Sequence, residues 1–222
     1  RIIFLTADHG AFALKRFENE IPGRFINIGI SEQNMMGVAA GLASSGKIVF
    51  AYGISPFVSL RVLEQITLDI SAMKLPVNII SVGAGFTYST DGPTHHGLQD
   101  LSALITVPEI NILNSSDPFN TKLFVDYVIG TRKPHYIRIE KEKVCPFLNT
   151  ETSIEKGFRY LTKKEGEVLL ISTGIISHSL IEKYEYITNE IDDEVSVIDL
   201  FKIKPINKEL LNLICNYKYV IT

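Results

Sequence analysis

The sequence predicts an α/β protein built on a doubly wound parallel sheet, followed by a partial second α/β domain. Short β-branched runs alternate with stretches whose apolar residues recur at helical spacing, and the strand runs are apolar almost throughout, as expected of a sheet covered on both faces. The expected strands are Ile2 to Thr6, Ile48 to Tyr52, Val77 to Val82, Ile110 to Leu113 and Tyr136 to Ile139. Between them, Glu32 to Ser44, Phe57 to Met73 and Pro118 to Ile129 are expected helices, the second with Leu60, Leu63, Ile66, Ile70 and Met73 on its apolar face.

Each helix start has a local cause. Ser31 followed by Glu32 reads as a cap with a carboxylate in the first turn, where the helix dipole favours negative charge. Asp117-Pro118 sets a capping carboxylate before a proline whose fixed φ suits the first helical position. From Glu142 to Gly166 the rhythm lapses into Pro, Asn, Thr and Lys, the composition of a connection. A second unit follows, with strands at Val168 to Ser172 and Val195 to Leu200, a helix at Ser179 to Tyr186 and a third strand starting at Val220. The expected organisation is a first domain over 1–145, a linker over 146–166 and the first half of a second domain over 167–222.

The composition is that of an ordinary globular protein: 222 residues, 45% hydrophobic, 21% charged, formal net charge −3. No dense Lys/Arg cluster offers an electrostatic footprint for nucleic acid. Cys145 and Cys215 lie far apart without metal-ligand spacing, so neither a disulfide framework nor a zinc site is expected, and a reducing, cytoplasmic location fits. No apolar run approaches the ~18 residues of a membrane span. The chain starts at Arg1 and stops inside an expected strand, which suggests a piece of a longer polypeptide.

Two segments carry chemistry. Gly29-Ile30-Ser31-Glu32-Gln33 leads into a small, apolar helix, and Glu32 is either a plain helix-start acid or a functional one. Asp91-Gly92-Pro93-Thr94-His95-His96 leaves the C-terminal end of the strand Val77 to Val82, the side of an open α/β sheet where ligands bind. Adjacent histidines serve as proton shuttles, ligands or loop ties.

Taken with Met73-Lys74-Leu75-Pro76-Val77 between them, these segments resemble the pyrimidine domain of transketolases and 1-deoxyxylulose-5-phosphate synthases. Val168 to Gly174 and Asp199 to Ile206 are similar to the same family's C-terminal domain. The resemblance implies the thiamine diphosphate-binding fold and a thiamine diphosphate-dependent transferase acting on a sugar phosphate. It further implies that Glu32 bonds a ring nitrogen of the cofactor's aminopyrimidine, beside Ile30, and that Phe57 stacks on that ring. Asp91, His95 and His96 then face sugar hydroxyls and the substrate carbonyl, with His95 also catalytic, and Arg138 grips the substrate phosphate. Family members carry a His or Arg in the region of Ser81 to Phe86, where this chain has small residues and a Phe, so one basic contact is missing.

The family's Gly-Asp-Gly metal motif is also absent, so the diphosphate and Mg2+ are expected on a diphosphate-binding domain or separate N-terminal subunit, in a homodimer or heterotetramer. Other readings are acyl transfer of the deoxyxylulose-phosphate type, a 2-oxo acid dehydrogenase beta-type subunit, and a noncatalytic partner subunit.

Overall fold

The computed structural model describes residues 1–8, 10, 12–147 and 152–222, with the backbone alone at 12 and 13. Part of the expected connection, 148–151, lies outside the described residues. The chain forms two compact units, 1–112 with 128–141 and 113–127 with 142–222.

In the first unit, β1 (Ile2–Thr6), β2 (Phe25–Asn27), β3 (Ile48–Ile54), β4 (Val77–Val82) and β6 (His135–Ile139) form a parallel sheet in the order β6-β4-β3-β1-β2. Register is set residue by residue: Phe4 opposes Phe50 and Phe25, Ala51 opposes Ile79, and Ser81 opposes Arg138. In β5 (Asn111–Asn114), Asn111 and Ile112 belong to this unit, and the Asn111 N–H donates to the Pro134 carbonyl at 3.0 Å. Helices α1 (Phe12–Glu20) and α2 (Glu32–Ser44) follow β1 and β2. Leu5, Met35, Met36, Val49, Ala51, Val77 and Ile79 are buried, each larger side chain contributing about 1.5–3 kcal/mol. Because the strands are parallel, the segments after β3, β4 and β6 all emerge at one edge.

The segment expected as one helix over 57–73 is wound differently. After a turn come a 3₁₀ turn, Leu60–Val62, a short α3 (Leu63–Gln65) and a π-helical stretch, Ile66–Ser71. The residues that pack inward are Val58, Val62, Ile66 and Ile70, all fully buried at strict fourfold spacing, whereas Leu60 and Met73 of the expected face are exposed. A repeat of four is longer than the α-helical 3.6, which accounts for the looser winding.

In the second unit, β7 (Phe158–Thr162), β8 (Val168–Ser172), β9 (Val195–Leu200) and β11 (Tyr219–Ile221) form a sheet in the order β11-β8-β9-β7, with β7 antiparallel to β9 and the others parallel. Strand β7 lies inside the stretch whose composition suggests a connection. Arg159 interrupts the apolar run expected of a strand covered on both faces, a buried cation in the place of an apolar residue. Phe158, Leu169, Ile198 and Leu210 form one core; Val168, Leu170, Val195 and Val197 form the other. The expected helix over 179–186 is two, α6 (Ile176–Glu182) and α7 (Tyr184–Ile191), and α8 (Lys208–Ile214) follows the short strand β10 (Lys202–Lys204).

Arg159 is the charged centre of this unit. Its Nε donates to Asp199 Oδ2 at 3.0 Å and its Nη2 to Asp117 Oδ2 at 2.9 Å. Asp117 also caps α5 (Pro118–Thr131) as expected, accepting from the Asn120 N–H at 2.8 Å. Burial raises the Asp199 carboxyl above its ordinary value and outweighs the donors Ser116, Arg159 and Ser177. Two buried carboxylates share one guanidinium there, and a proton on one of them restores neutrality.

Candidate active site

Glu32 opens α2 and is 7% exposed, a carboxylate withdrawn from water at the edge of the sheet. The expected serine cap is absent: Ser31 makes no side-chain cap bond, and its hydroxyl turns back to donate to the Ile28 carbonyl at 3.3 Å. The bond that Glu32 does make is from Arg61, whose Nη1 donates to Oε2 at 2.9 Å. Arg61 is missing from the residues singled out by sequence, since a lone arginine in an apolar amphipathic stretch looks like a solvated face.

From Arg61 a row of contacts runs across the edge. Its guanidinium lies 4.1 Å from the centroid of Phe57, and Phe57 packs edge to face with His95 at 5.0 Å. His95 Nδ1 is 3.0 Å from Thr94 Oγ1, and its ring is 6.2 Å from that of Tyr88. The Lys141 ammonium stands 4.7 Å over Tyr88. Glu32, Phe57 and His95, distant in sequence, are thus joined within one unit.

The loop after β4 is shaped by glycines. Gly83 has φ +87, and a Cβ there would meet the Tyr88 ring at 2.2 Å. Gly85 and Gly97 bond each other reciprocally, N–H to carbonyl, at 2.9 Å in both directions. A small residue at 83 is therefore a packing requirement of this loop, whereas at Gly85 the constraint is a φ of +57, and Lys141, beyond the end of β6, brings a cation to the Tyr88 ring that this loop cannot carry at Gly83.

Arg138 is committed differently from a free phosphate fork. Its Nε and Nη2 reach Asp100 Oδ2 and Oδ1 at 2.9 and 3.3 Å, and Nη2 also donates to the Gly97 carbonyl at 2.8 Å. Asp100 is 1% exposed and further accepts from Ser55 at 3.1 Å and Tyr136 at 2.7 Å. Burial, then the Asp100 charge, pushes the Tyr136 phenol well above its usual value. The bidentate edge of Arg138 thus anchors the start of α4 (Asp100–Ile105).

The remaining expected residues stand apart from the row. Ile30 is 79% exposed. Asp91 is exposed in a 3₁₀ turn, its N–H donating to the Tyr88 carbonyl at 3.1 Å. Burial and then the Asp91 charge raise the Tyr88 phenol. His96 packs on Phe86 at 5.0 Å, and its Nε2 is buried without a hydrogen-bond partner among the described residues. Among the described residues no group of three or more His, Cys, Asp or Glu is placed to hold a metal ion, and no helix is long and apolar enough to cross a membrane.

An acid, an aromatic ring and a histidine are thus joined at one edge of a parallel sheet. Residues 1–146 match the family model described as transketolase, pyrimidine binding domain, and the chain belongs to that family. It is 31% identical over 211 residues to the 6-deoxy-6-sulfo-D-fructose transketolase subunit SqwH of Clostridium sp. (strain MSTE9), covering 94% of this chain and 65% of that protein. It is 30% identical over 207 residues to one of the subunits of the apulose-4-phosphate transketolase of Actinobacillus succinogenes (strain ATCC 55618 / DSM 22257 / CCUG 43843 / 130Z), covering 93% and 66%. The chain thus spans about two thirds of the length of these curated relatives. Among solved structures, a split gene transketolase, described as an inactive beta4 tetramer, superimposes with a TM-score of 0.85 at 30% identity, covering 99% of this chain and 71% of that one.

Proposed function

We propose that this chain is the pyrimidine-binding component of a thiamine diphosphate-dependent transketolase, transferring a ketol unit onto a sugar phosphate with a partner subunit that supplies the diphosphate and Mg2+ site. The observation that carries it is the joined row Glu32, Arg61, Phe57 and His95 at the edge of the sheet. The similarity to proteins named as separate transketolase subunits supports a partner.

The residues present fit an aminopyrimidine: a carboxylate nearly withdrawn from water and an aromatic ring tied to it through Arg61. The cofactor, when bound, supplies a nucleophilic carbon that carries the ketol unit. Glu32 would hold the ring nitrogen through Oε1, the oxygen that Arg61 leaves, and keep a proton at that contact. Phe57 would orient the flat ring; offset aromatic packing adds about 0.5–1.5 kcal/mol beyond area burial. His95 would donate to a substrate oxygen through Nε2 while Thr94 holds Nδ1. Asp91 and His96 would contact sugar hydroxyls, Arg138 Nη1 the phosphate, and Ile30 the cofactor's rim.

The test is reconstitution. The full chain, mixed with a diphosphate-binding transketolase subunit, thiamine diphosphate and magnesium, is expected to transfer ketol units between sugar phosphates, and by calorimetry the chain alone is expected to bind the cofactor only weakly, through its pyrimidine. Tight binding by the chain alone would overturn the divided site.

A further inference from the structure

We propose that Arg61 is a positioning residue for the aminopyrimidine half-site, acting through Glu32 and Phe57; this rests on the reading of those two residues above. Glu32 and Phe57 sit on different elements, the start of α2 and the segment after β3, and a flat ring that meets both needs a fixed distance between them.

Arg61 supplies that tie in three ways. Its Nη1 holds Glu32 Oε2 at 2.9 Å, its guanidinium covers Phe57 at 4.1 Å, and its carbonyl accepts from the Gln33 side-chain amide at 3.3 Å. The Arg61 N–H in turn donates to the Pro56 carbonyl at 3.1 Å, next to Phe57. One residue therefore bolts the first turn of α2 to the aromatic segment.

The charge argument points the same way. The Glu32 side chain is 9% exposed and that of Arg61 45%, so the acid is the buried member and depends on the cation far more than the reverse. A buried carboxylate stripped of its partner relaxes toward water, and its second oxygen loses its aim. Only arginine satisfies both demands, since its planar fork bonds a carboxylate while stacking on a ring, whereas an ammonium is a point charge. Arg61 thus fixes Oε1 relative to the Phe57 face.

The experiment titrates 4-amino-5-hydroxymethyl-2-methylpyrimidine, the pyrimidine portion of thiamine, into the full chain, followed by amide NMR, with thermal midpoints to confirm folding. Arg61→Ala is expected to weaken binding about tenfold or more, the scale of one charged hydrogen bond. Arg61→Lys is expected to recover little of this, and low guanidinium to restore binding to Arg61→Ala only while Glu32 is intact. The double variant Arg61→Ala, Glu32→Gln should lose clearly less than the sum of the two single losses, because one of the two routes by which Arg61 acts runs through the acid. Wild-type affinity in Arg61→Ala, full recovery by Arg61→Lys, or additive losses in the double variant would overturn the proposal. A wild-type chain that binds no pyrimidine, or binds it as well after Glu32→Gln, would overturn the half-site reading and the inference with it.

Discussion

Phe57 and His95 pack edge to face, ring centroids 5.0 Å apart with planes at 70°. The contact links the segment after β3 to the loop after β4, so the residue proposed to orient the cofactor and the residue proposed to meet the substrate share a boundary.

Substitutions should separate those two roles. Phe57→Leu in the reconstituted enzyme is expected to raise the apparent Kd for thiamine diphosphate about 2- to 12-fold, the equivalent of the aromatic term. His95→Ala is expected to leave that Kd nearly unchanged and to lower kcat/KM for the sugar. Calorimetry and steady-state kinetics on the same preparations distinguish them. A His95→Ala enzyme with weakened cofactor binding and unchanged kinetics at saturating cofactor would reverse the assignment.

Glu32→Gln keeps the shape of the side chain and removes its charge. Exchange of the thiazolium proton of bound cofactor, followed by NMR, is expected to slow about 10²- to 10⁴-fold, the range of general acid–base contributions. Wild-type exchange in the variant would reduce Glu32 to a helix-start acid.

Much of this edge is legible in the sequence because its parts are short and local. β1 and β4 have the bounds the β-branched runs indicate, and α2 runs from Glu32 to Ser44 as its spacing requires. What sequence does not carry is the partnering of long side chains. Whether Arg61 faces solvent or Glu32 depends on the tertiary placement of the 3₁₀ turn Leu60–Val62 that carries it, and nothing local announces that turn or the π stretch after it. Arg159 hides β7 for the same reason, because a buried arginine looks polar until its two carboxylates, far along the chain, are seen beside it. The glycines at 83 and 85 look like a lost cation until the Tyr88 ring is found against Gly83.

Asp199 gives the second unit a pH dependence of definite sign. Its folded pKa is raised above the ordinary 3.8, so between that value and the raised one the folded chain holds a proton that the unfolded chain has lost. Stability from this group is therefore fully present below about 3.8 and falls as pH rises through the folded value. Asp199→Asn, which cannot ionise, is expected to lose this slope and to gain on the wild type as pH rises across the window. Denaturant unfolding at a series of pH values measures it; parallel curves for the two proteins would show that Asp199 is ionised throughout.

Substrate charge is the sharpest test of how Arg138 and Lys141 divide their work. Arg138 spends Nε and Nη2 on a nearly fully buried Asp100, so Arg138→Ala leaves an unpaired buried carboxylate and is expected to cost about 3–5 kcal/mol of stability. Its activity loss should then fall on both kinds of sugar, as misplacement of the loop at Gly97 disturbs the whole site, and more heavily on the phosphorylated one, which also loses the Nη1 contact proposed above. Lys141 is exposed, with its ammonium over the Tyr88 ring, so Lys141→Ala should change stability by about 0.5 kcal/mol or less. If Lys141 supplies the cation that the glycine loop cannot hold, its loss raises KM for a phosphorylated sugar about 2- to 5-fold, the worth of an exposed charge pair, and leaves an unphosphorylated sugar untouched. Paired kinetics on both sugars, with thermal midpoints for both variants, decide the matter. Equal KM changes on the two sugars in Lys141→Ala would remove Lys141 from substrate recognition, and equal losses on the two sugars in Arg138→Ala would remove Nη1 from the phosphate.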